Sequence, residues 1–201
     1  MKLYYAPGAC SLSPHIVLEE TGLPYEAEVV DLKTKLTATG ADYTQHNPNG
    51  YVPALVLDSG EVLTEGPAIV QYLADQVPDK KLAPANGTVA RYQLQSWLNF
   101  IGTEVHKSCS PFFNPASGDA WRAGARANLE RRLAYVDENL AGKAYLMGDC
   151  FSVADAYLFT VLRWTGFIRF DISSFANLTA FVARVAARPA VQAALKAEGL
   201  S

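Results

Sequence analysis

The spacing of apolar residues changes near residue 77, and this change restricts the chain to a fold of two unlike parts. Before it, apolar residues come in short runs bounded by turn formers. Residues 2–5 read as a strand ended by Pro7-Gly8. Residues 11–21 read as a helix, with Pro14 near its start and Gly22 closing it. Residues 25–30 form a second strand, and 41–46 a short helix or an irregular segment. Residues 54–57, the turn Asp58-Ser59-Gly60 and residues 61–63 read as a hairpin. Residues 66–74 then read as a helix, with Gly66 as its cap and Pro67 at the first helical position. The order strand, helix, strand, strand, strand, helix suits a small α/β domain with a mixed sheet.

Residues 77–87, VPDKKLAPANG, are rich in Pro, Gly and charge and read as a linker. Beyond them only helical spacing is found. Leu94, Leu98, Ile101, Val105 and Phe112 recur over one long segment, and residues 121–140 make a second. Residues 152–165 make a third, opened by the capping-box-like Ser152-Val153-Ala154-Asp155. Residues 175–187 and 189–196 complete the helical part, divided at Arg188-Pro189. The expected domains are therefore 1–76 and 87–201, joined by a linker at 77–86.

With 201 residues, half of them hydrophobic, each part can bury a core of its own. The net charge of −3 argues against a nucleic-acid-binding surface. No apolar run reaches the length of a membrane span. The N-terminus, MKLYYAPGAC, lacks the apolar stretch of a signal peptide and reads as a strand, so a cytoplasmic protein is expected. The three cysteines, Cys10, Cys109 and Cys150, are odd in number and widely spaced, unlike a disulfide framework. The three histidines lack the spacing of metal ligands, so no metal is expected.

Cys10 lies between the first strand and the first helix. Backbone N–H groups and the helix dipole favour negative charge there. A thiol so placed can titrate from roughly 8.5 down into the ~3.5–7.5 range, and its thiolate is the reactive form. The position also suits a small buried hydrophobe. Cys109 and Cys150 fall in or beside helical segments and read as packing residues. Tyr4 and Tyr5 share a strand and point to opposite faces, so at most one meets a site near Cys10. Ser11 reads most simply as a helix cap and stands as a lesser catalytic candidate. The Val52-Pro53 bond, after the turn-forming Asn47-Pro48-Asn49-Gly50, is compatible with either isomer. Glu65 stands beside a helix N-terminus, where an anion can be received and the carboxylate can accept an ammonium group; a plain charged loop fits as well. Asn99, Thr103 and His106, spaced by four and three, share one helix face.

Four stretches together carry a resemblance: Tyr4-Tyr5-x-Pro7-Gly8-Ala9-Cys10-Ser11, Asn47-Pro48-x-Gly50-x-Val52-Pro53, Thr64-Glu65-Gly66-Pro67-Ala68-Ile69 and Ser152-Val153-Ala154-Asp155. In this order, over essentially the whole chain, they resemble the bacterial beta-class glutathione transferases. The resemblance implies a thioredoxin-like N-terminal domain with a mixed four-stranded sheet and a C-terminal helical bundle. It implies conjugation of the glutathione thiol to small hydrophobic electrophiles, as in detoxification of xenobiotics, by a cytoplasmic homodimer with glutathione as co-substrate and no metal. Cys10 would meet the glutathione sulfur, with His106 near it from the helical domain. Lys35 would hold the glycyl carboxylate, Val52 the cysteinyl backbone, and Glu65 with the Gly66 amide the γ-glutamyl end. Asn99, Thr103 and Glu104 would complete the site, partly from a neighbouring subunit. Tyr4, Tyr5, Phe112, Phe113, Trp164 and Phe167 offer an apolar wall or core. The family often has Ser where this chain has Gly66. A glutathione-dependent reductive dehalogenase or thiol-disulfide reductase linked to aromatic-compound degradation is the alternative, and a non-catalytic binding protein a further one.

Overall fold

The structure, a computed structural model, describes residues 1–200. Two compact units result, one of residues Met1–Lys81 together with the chain from Ala187 onward, the other Leu82–Ala186.

The first unit is built on a mixed four-stranded sheet, as the resemblance implies. Strand β1 (Lys2–Tyr5) runs parallel to β2 (Glu26–Val29) and antiparallel to β3 (Ala54–Val56), which pairs with β4 (Val62–Thr64), giving the order β2-β1-β3-β4. Helices α1 (Leu12–Thr21) and α2 (Gly66–Gln76) pack together. Helix α1 ends at Gly22, whose φ of 70° gives the left-handed closure that glycine adopts at no steric cost. Residues 41–46 resolve into a single tight helical turn at Tyr43–Gln45. Helix α2 is capped one residue earlier than expected, by Glu65 rather than Gly66. Glu65 itself sits at φ 64°, a conformation that costs a residue with a Cβ about 1–3 kcal/mol.

From Leu12 to Leu18 every residue of α1 is buried. A helix apolar on all sides needs cover on all sides. The outer cover is α8 (Pro189–Ala197), which presents Val191, Ala194 and Leu195 at i, i+3, i+4 spacing and packs on α1. Sequence spacing alone groups α8 with the other helices; the buried circumference of α1 draws it into the first unit. Two carboxylates fasten it. Arg188 forks onto Glu20 at 2.6 and 2.9 Å. Glu198, fully buried at its side chain, meets His15 Nδ1 at 2.8 Å and accepts the Gly8 N–H at 2.9 Å.

The second unit is helical. It comprises α3 (Val89–Phe100), α4 (Lys107–Phe113), α5 (Asp119–Leu140), α6 (Val153–Phe167) and α7 (Ala176–Ala186). Helix α6 is its central column: from Val153 to Leu162 every side chain is buried. Helices α3 and α7 pack against it, and α5 turns the stripe Leu129, Leu133, Val136 and Leu140 inward. Each fully buried side chain of this size contributes about 1.5–3 kcal/mol. The start of α6 is set by Asp155, which accepts from the Ser152 N–H at 2.8 Å, the Ser152 hydroxyl at 2.7 Å and the Leu146 N–H at 2.8 Å. Between α3 and α4 the chain stays helical but widens into a π-type turn at Ile101–His106, an irregularity often found at functional sites. Among the described residues no helix is long and apolar enough to cross a membrane.

Replacing Glu198 with Ala would remove the partner of the buried His15 Nδ1 and an acceptor of the half-buried Gly8 N–H. Chemical denaturation should show a loss of about 3 kcal/mol. An unchanged unfolding midpoint would mean that α8 is held by its apolar face alone.

Candidate active site

The turn that carries Cys10 is held on two sides. The Ala9 N–H closes a turn on the Ala6 carbonyl at 3.0 Å. Ser11, expected to cap α1, makes no side-chain cap bond; its buried hydroxyl accepts from the Ala6 N–H at 3.1 Å and donates to the Ala6 carbonyl at 3.2 Å. The cap is given up for Ala6, the buried residue that follows β1, whose N–H takes the Ser11 hydroxyl as its acceptor. On the other side the Gly8 N–H is taken by Glu198. Cys10 is left half-buried at the start of α1, and its thiol donates to the Val52 carbonyl at 3.2 Å.

Val52 opens a cis peptide bond to Pro53. Its side chain is buried in a cluster with Tyr4, Ala6, Val30, Tyr43 and Ala54. That burial turns the backbone edge, rather than the side chain, toward Cys10. Just upstream, the Tyr51 carbonyl accepts from the Tyr43 hydroxyl at 2.6 Å and from Asn47 Nδ2 at 2.7 Å. Lys35, itself at φ 60°, lays its ammonium on the Gly50 carbonyl at 2.9 Å. Gly50 has φ 64°, and a Cβ there would lie 3.0 Å from Lys35 Cε, so the approach requires glycine. An ammonium carries three donors, so Lys35 retains capacity for an anion. At the far end of the loop, a Cβ on Gly66 would meet only Pro53 Cγ, at 3.9 Å. One loop, residues 47–53, thus bonds Cys10 and Lys35 and brings Pro53 beside Gly66. Glu65 is exposed beside the N-terminus of α2.

The two tyrosines of β1 diverge as the strand demands. Tyr4 bonds His46 Nε2 at 2.9 Å and stacks on its ring, whereas Tyr5 lies against His15. Both are buried. Cys109 is fully buried, and burial pushes its thiol up to about 12, so it is inert packing. Cys150, expected to pack, is exposed, because the turn before α6 directs Phe151 inward in its place.

In the second unit the wide turn separates residues expected on one face. Asn99 and Thr103 are exposed, with the Thr103 hydroxyl donating to the Asn99 carbonyl at 3.0 Å. Glu104 is paired with Arg132 at 2.7 Å. His106 turns inward. Its Nδ1 lies 2.8 Å from the Tyr157 hydroxyl, and its ring meets Trp164 edge-on at 4.6 Å. Trp164 in turn meets Phe113, which is exposed, as is Phe167. Phe112 is covered by the Arg126 guanidinium at 5.5 Å. Burial, with a smaller contribution from Lys107, lowers His106 from 6.5 to about 4, so the ring is neutral near pH 7.

Two family models match the chain: Glutathione S-transferase, N-terminal domain, over residues 8–76, and Glutathione S-transferase, C-terminal domain, over 100–189. The chain belongs to the glutathione S-transferase family. The Escherichia coli O157:H7 glutathione S-transferase GstA is 48% identical over the full length of both chains. Among solved structures, the ternary complex of BphK, a bacterial member, is 60% identical with a TM-score of 0.98, covering all of each chain. A sphingomonad glutathione S-transferase complexed with glutathione is 50% identical with a TM-score of 0.96, again over all of both. A bacterial beta class glutathione S-transferase of Sphingomonas chungbukensis is 51% identical with a TM-score of 0.97 over all of both chains.

The Val52-Pro53 bond, compatible with either isomer in the sequence, is cis. Tyr43 and Asn47, which hold the loop at Tyr51, are not singled out by the sequence reading as site residues. Asn47 alone had a sequence signal, as the first residue of a turn-forming Asn-Pro-Asn-Gly run. Tyr157 lies in a helix buried all round, where spacing singles out no residue.

The space at Gly66 admits a side chain at ordinary contact distance. Gly66→Ser should therefore fold normally and add a hydroxyl at the helix N-terminus, lowering KM for glutathione about 2- to 10-fold in initial-rate kinetics. A higher KM would show that the glycine is needed there. His106 is neutral when folded, so protonation favours the unfolded chain. Its contribution to stability should be complete above about 6.5 and fall away as pH drops toward about 4. Imidazole resonances followed by NMR should show no His106 titration between pH 8 and about 6.5.

Proposed function

We propose that this protein binds glutathione and transfers its sulfur to small hydrophobic electrophiles, with Cys10 against the glutathione sulfur. The observation that carries the reading is the Cys10 thiol bonded to the carbonyl of Val52, at the edge left open by the cis-proline loop. Extended peptide backbone is recognised by such an edge. The cysteinyl amide of glutathione would take the Val52 carbonyl, which releases the Cys10 S–H to donate to the glutathione thiolate. Lys35, with donors to spare, suits the glycyl carboxylate. The Gly66 amide and the start of α2 suit the γ-glutamyl carboxylate, and Glu65 its ammonium group. His106, Asn99, Thr103 and Glu104 are assigned to the same reaction on the family resemblance. Trp164, Phe113 and Phe167 supply aromatic surface for an apolar acceptor.

In the reaction the thiol proton leaves to solvent, the sulfur forms a bond to carbon, and the leaving group departs with the electrons of the broken bond. A donor aimed at the sulfur favours the thiolate, which is the nucleophilic form. The family reading extends to a homodimer, a cytoplasmic location and a role in detoxifying xenobiotics. Sedimentation at the mass of one chain would remove the dimer.

The test uses two readouts. The wild type should conjugate glutathione to chlorodinitrobenzene. It should also exchange with oxidised glutathione, forming one Cys10–glutathione disulfide and releasing one reduced glutathione. Cys10→Ala should form no such adduct by mass spectrometry. With the exposed Cys150 replaced by Ser in both proteins, an adduct that persists without Cys10 sinks the placement of Cys10 at the sulfur, and absence of any conjugation sinks the activity.

A further inference from the structure

His106 has two ring nitrogens with different neighbours, and what the ring can do depends on which carries the proton. Nδ1 is 2.8 Å from the hydroxyl of Tyr157, a residue 4% exposed on the central helix α6. Seven residues on, the same helix supplies Trp164, whose ring meets the imidazole at 77° and 4.6 Å. A spacing of seven returns to the same helix face. The imidazole is therefore held at one nitrogen and along one ring face by a single helix whose residues from Val153 to Leu162 are all buried. The Tyr157 ring is also edge-on to it, at 73°. Neutrality of the ring leaves two tautomers.

The chemistry of the pair selects between them. A phenol is a far better proton donor than the N–H of a neutral imidazole. An imidazole nitrogen is a far better acceptor than a phenol oxygen. The favourable arrangement is O–H to N, in which Nδ1 accepts and the ring proton resides on Nε2. We propose that Tyr157 is a positioning residue that holds His106 as the Nε2–H tautomer, so that His106 meets the substrate sulfur as a hydrogen-bond donor rather than as a base. This rests on the assignment of His106 to the glutathione reaction made above. The thiol proton then leaves to solvent and is not taken by Nε2. Tyr157 is buried and bonded to His106, so its effect on turnover runs through that ring.

The tautomer is read without any substrate, by nitrogen-15 NMR of the histidine-labelled full-length protein at pH 7. The expected spectrum has a protonated Nε2 and an unprotonated, hydrogen-bonded Nδ1. In Tyr157→Phe, which keeps the ring and loses only the hydroxyl, the Nδ1 resonance should move and a fraction of the other tautomer should appear. A wild-type proton on Nδ1, or an unchanged His106 spectrum in Tyr157→Phe, overturns the proposal. In kinetics, Tyr157→Phe should lower kcat about 2- to 10-fold with KM for glutathione unchanged, the effect of one neutral hydrogen bond. His106→Gln, which keeps a donor but has no basic nitrogen, should retain most of the turnover that His106→Ala loses. Equal losses in the two variants count against the donor role. Full turnover in His106→Ala would instead remove His106 from the reaction, a failure of the functional assignment that the NMR result distinguishes.

Discussion

The Tyr51 carbonyl, held by the Tyr43 hydroxyl and the Asn47 amide, is the interaction on which the first unit's site depends. Both donors come from residues buried in the sheet side of the unit. Their two bonds fix the loop that places Gly50 under Lys35, Val52 under Cys10, and Pro53 beside Gly66. Lys35, Cys10 and Gly66 belong to three different stretches of the chain. A loop without such anchors would present its carbonyls over a range of positions, and recognition of an extended ligand backbone depends on their spacing. The same economy appears on the other side of Cys10. There Ser11 gives up its capping role to satisfy Ala6, and Glu198 reaches from the last helix to hold Gly8.

In the second unit the corresponding part is played by α6. Its burial on every side makes it the most constrained element of the helical packing. Asp155 sets where it starts by accepting three hydrogen bonds, although burial raises its carboxyl to about 6. From this column Tyr157 and Trp164 project onto His106. The π-type turn at Ile101–His106 rotates the residues after it relative to an unbroken α-helix. His106 therefore turns inward while Asn99 and Thr103 remain outside. An exposed imidazole would titrate near its ordinary value; the inward turn keeps this one neutral and aligned.

Much of this was legible in the chain. Alternating and short apolar runs, glycine and proline punctuation, and the Ser152–Asp155 box located the strands and helices to within a few residues. These features act through neighbours in sequence: a turn closes because of its own φ angles, and a helix starts because of its own first residues. The errors share a cause. The freed hydroxyl of Ser11 and the inward His106 each depend on a polar group from elsewhere in the fold, Ala6 and Tyr157, and the exposed Cys150 on the inward turn of its neighbour Phe151.

Local chemistry alone therefore specified the two kinds of architecture, the thiol at the head of the first helix, and the motifs of the glutathione S-transferase family. Assembly settled the rest: that the last helix covers α1, that loop 47–53 is pinned at Tyr51, and that His106 is bonded at Nδ1. These outcomes arise from burial, because a polar group removed from water takes whatever partner the packing brings within reach. Spacing along a chain can place a residue on a face, but the partner on that face comes from another element, and its distance is fixed only when both are packed.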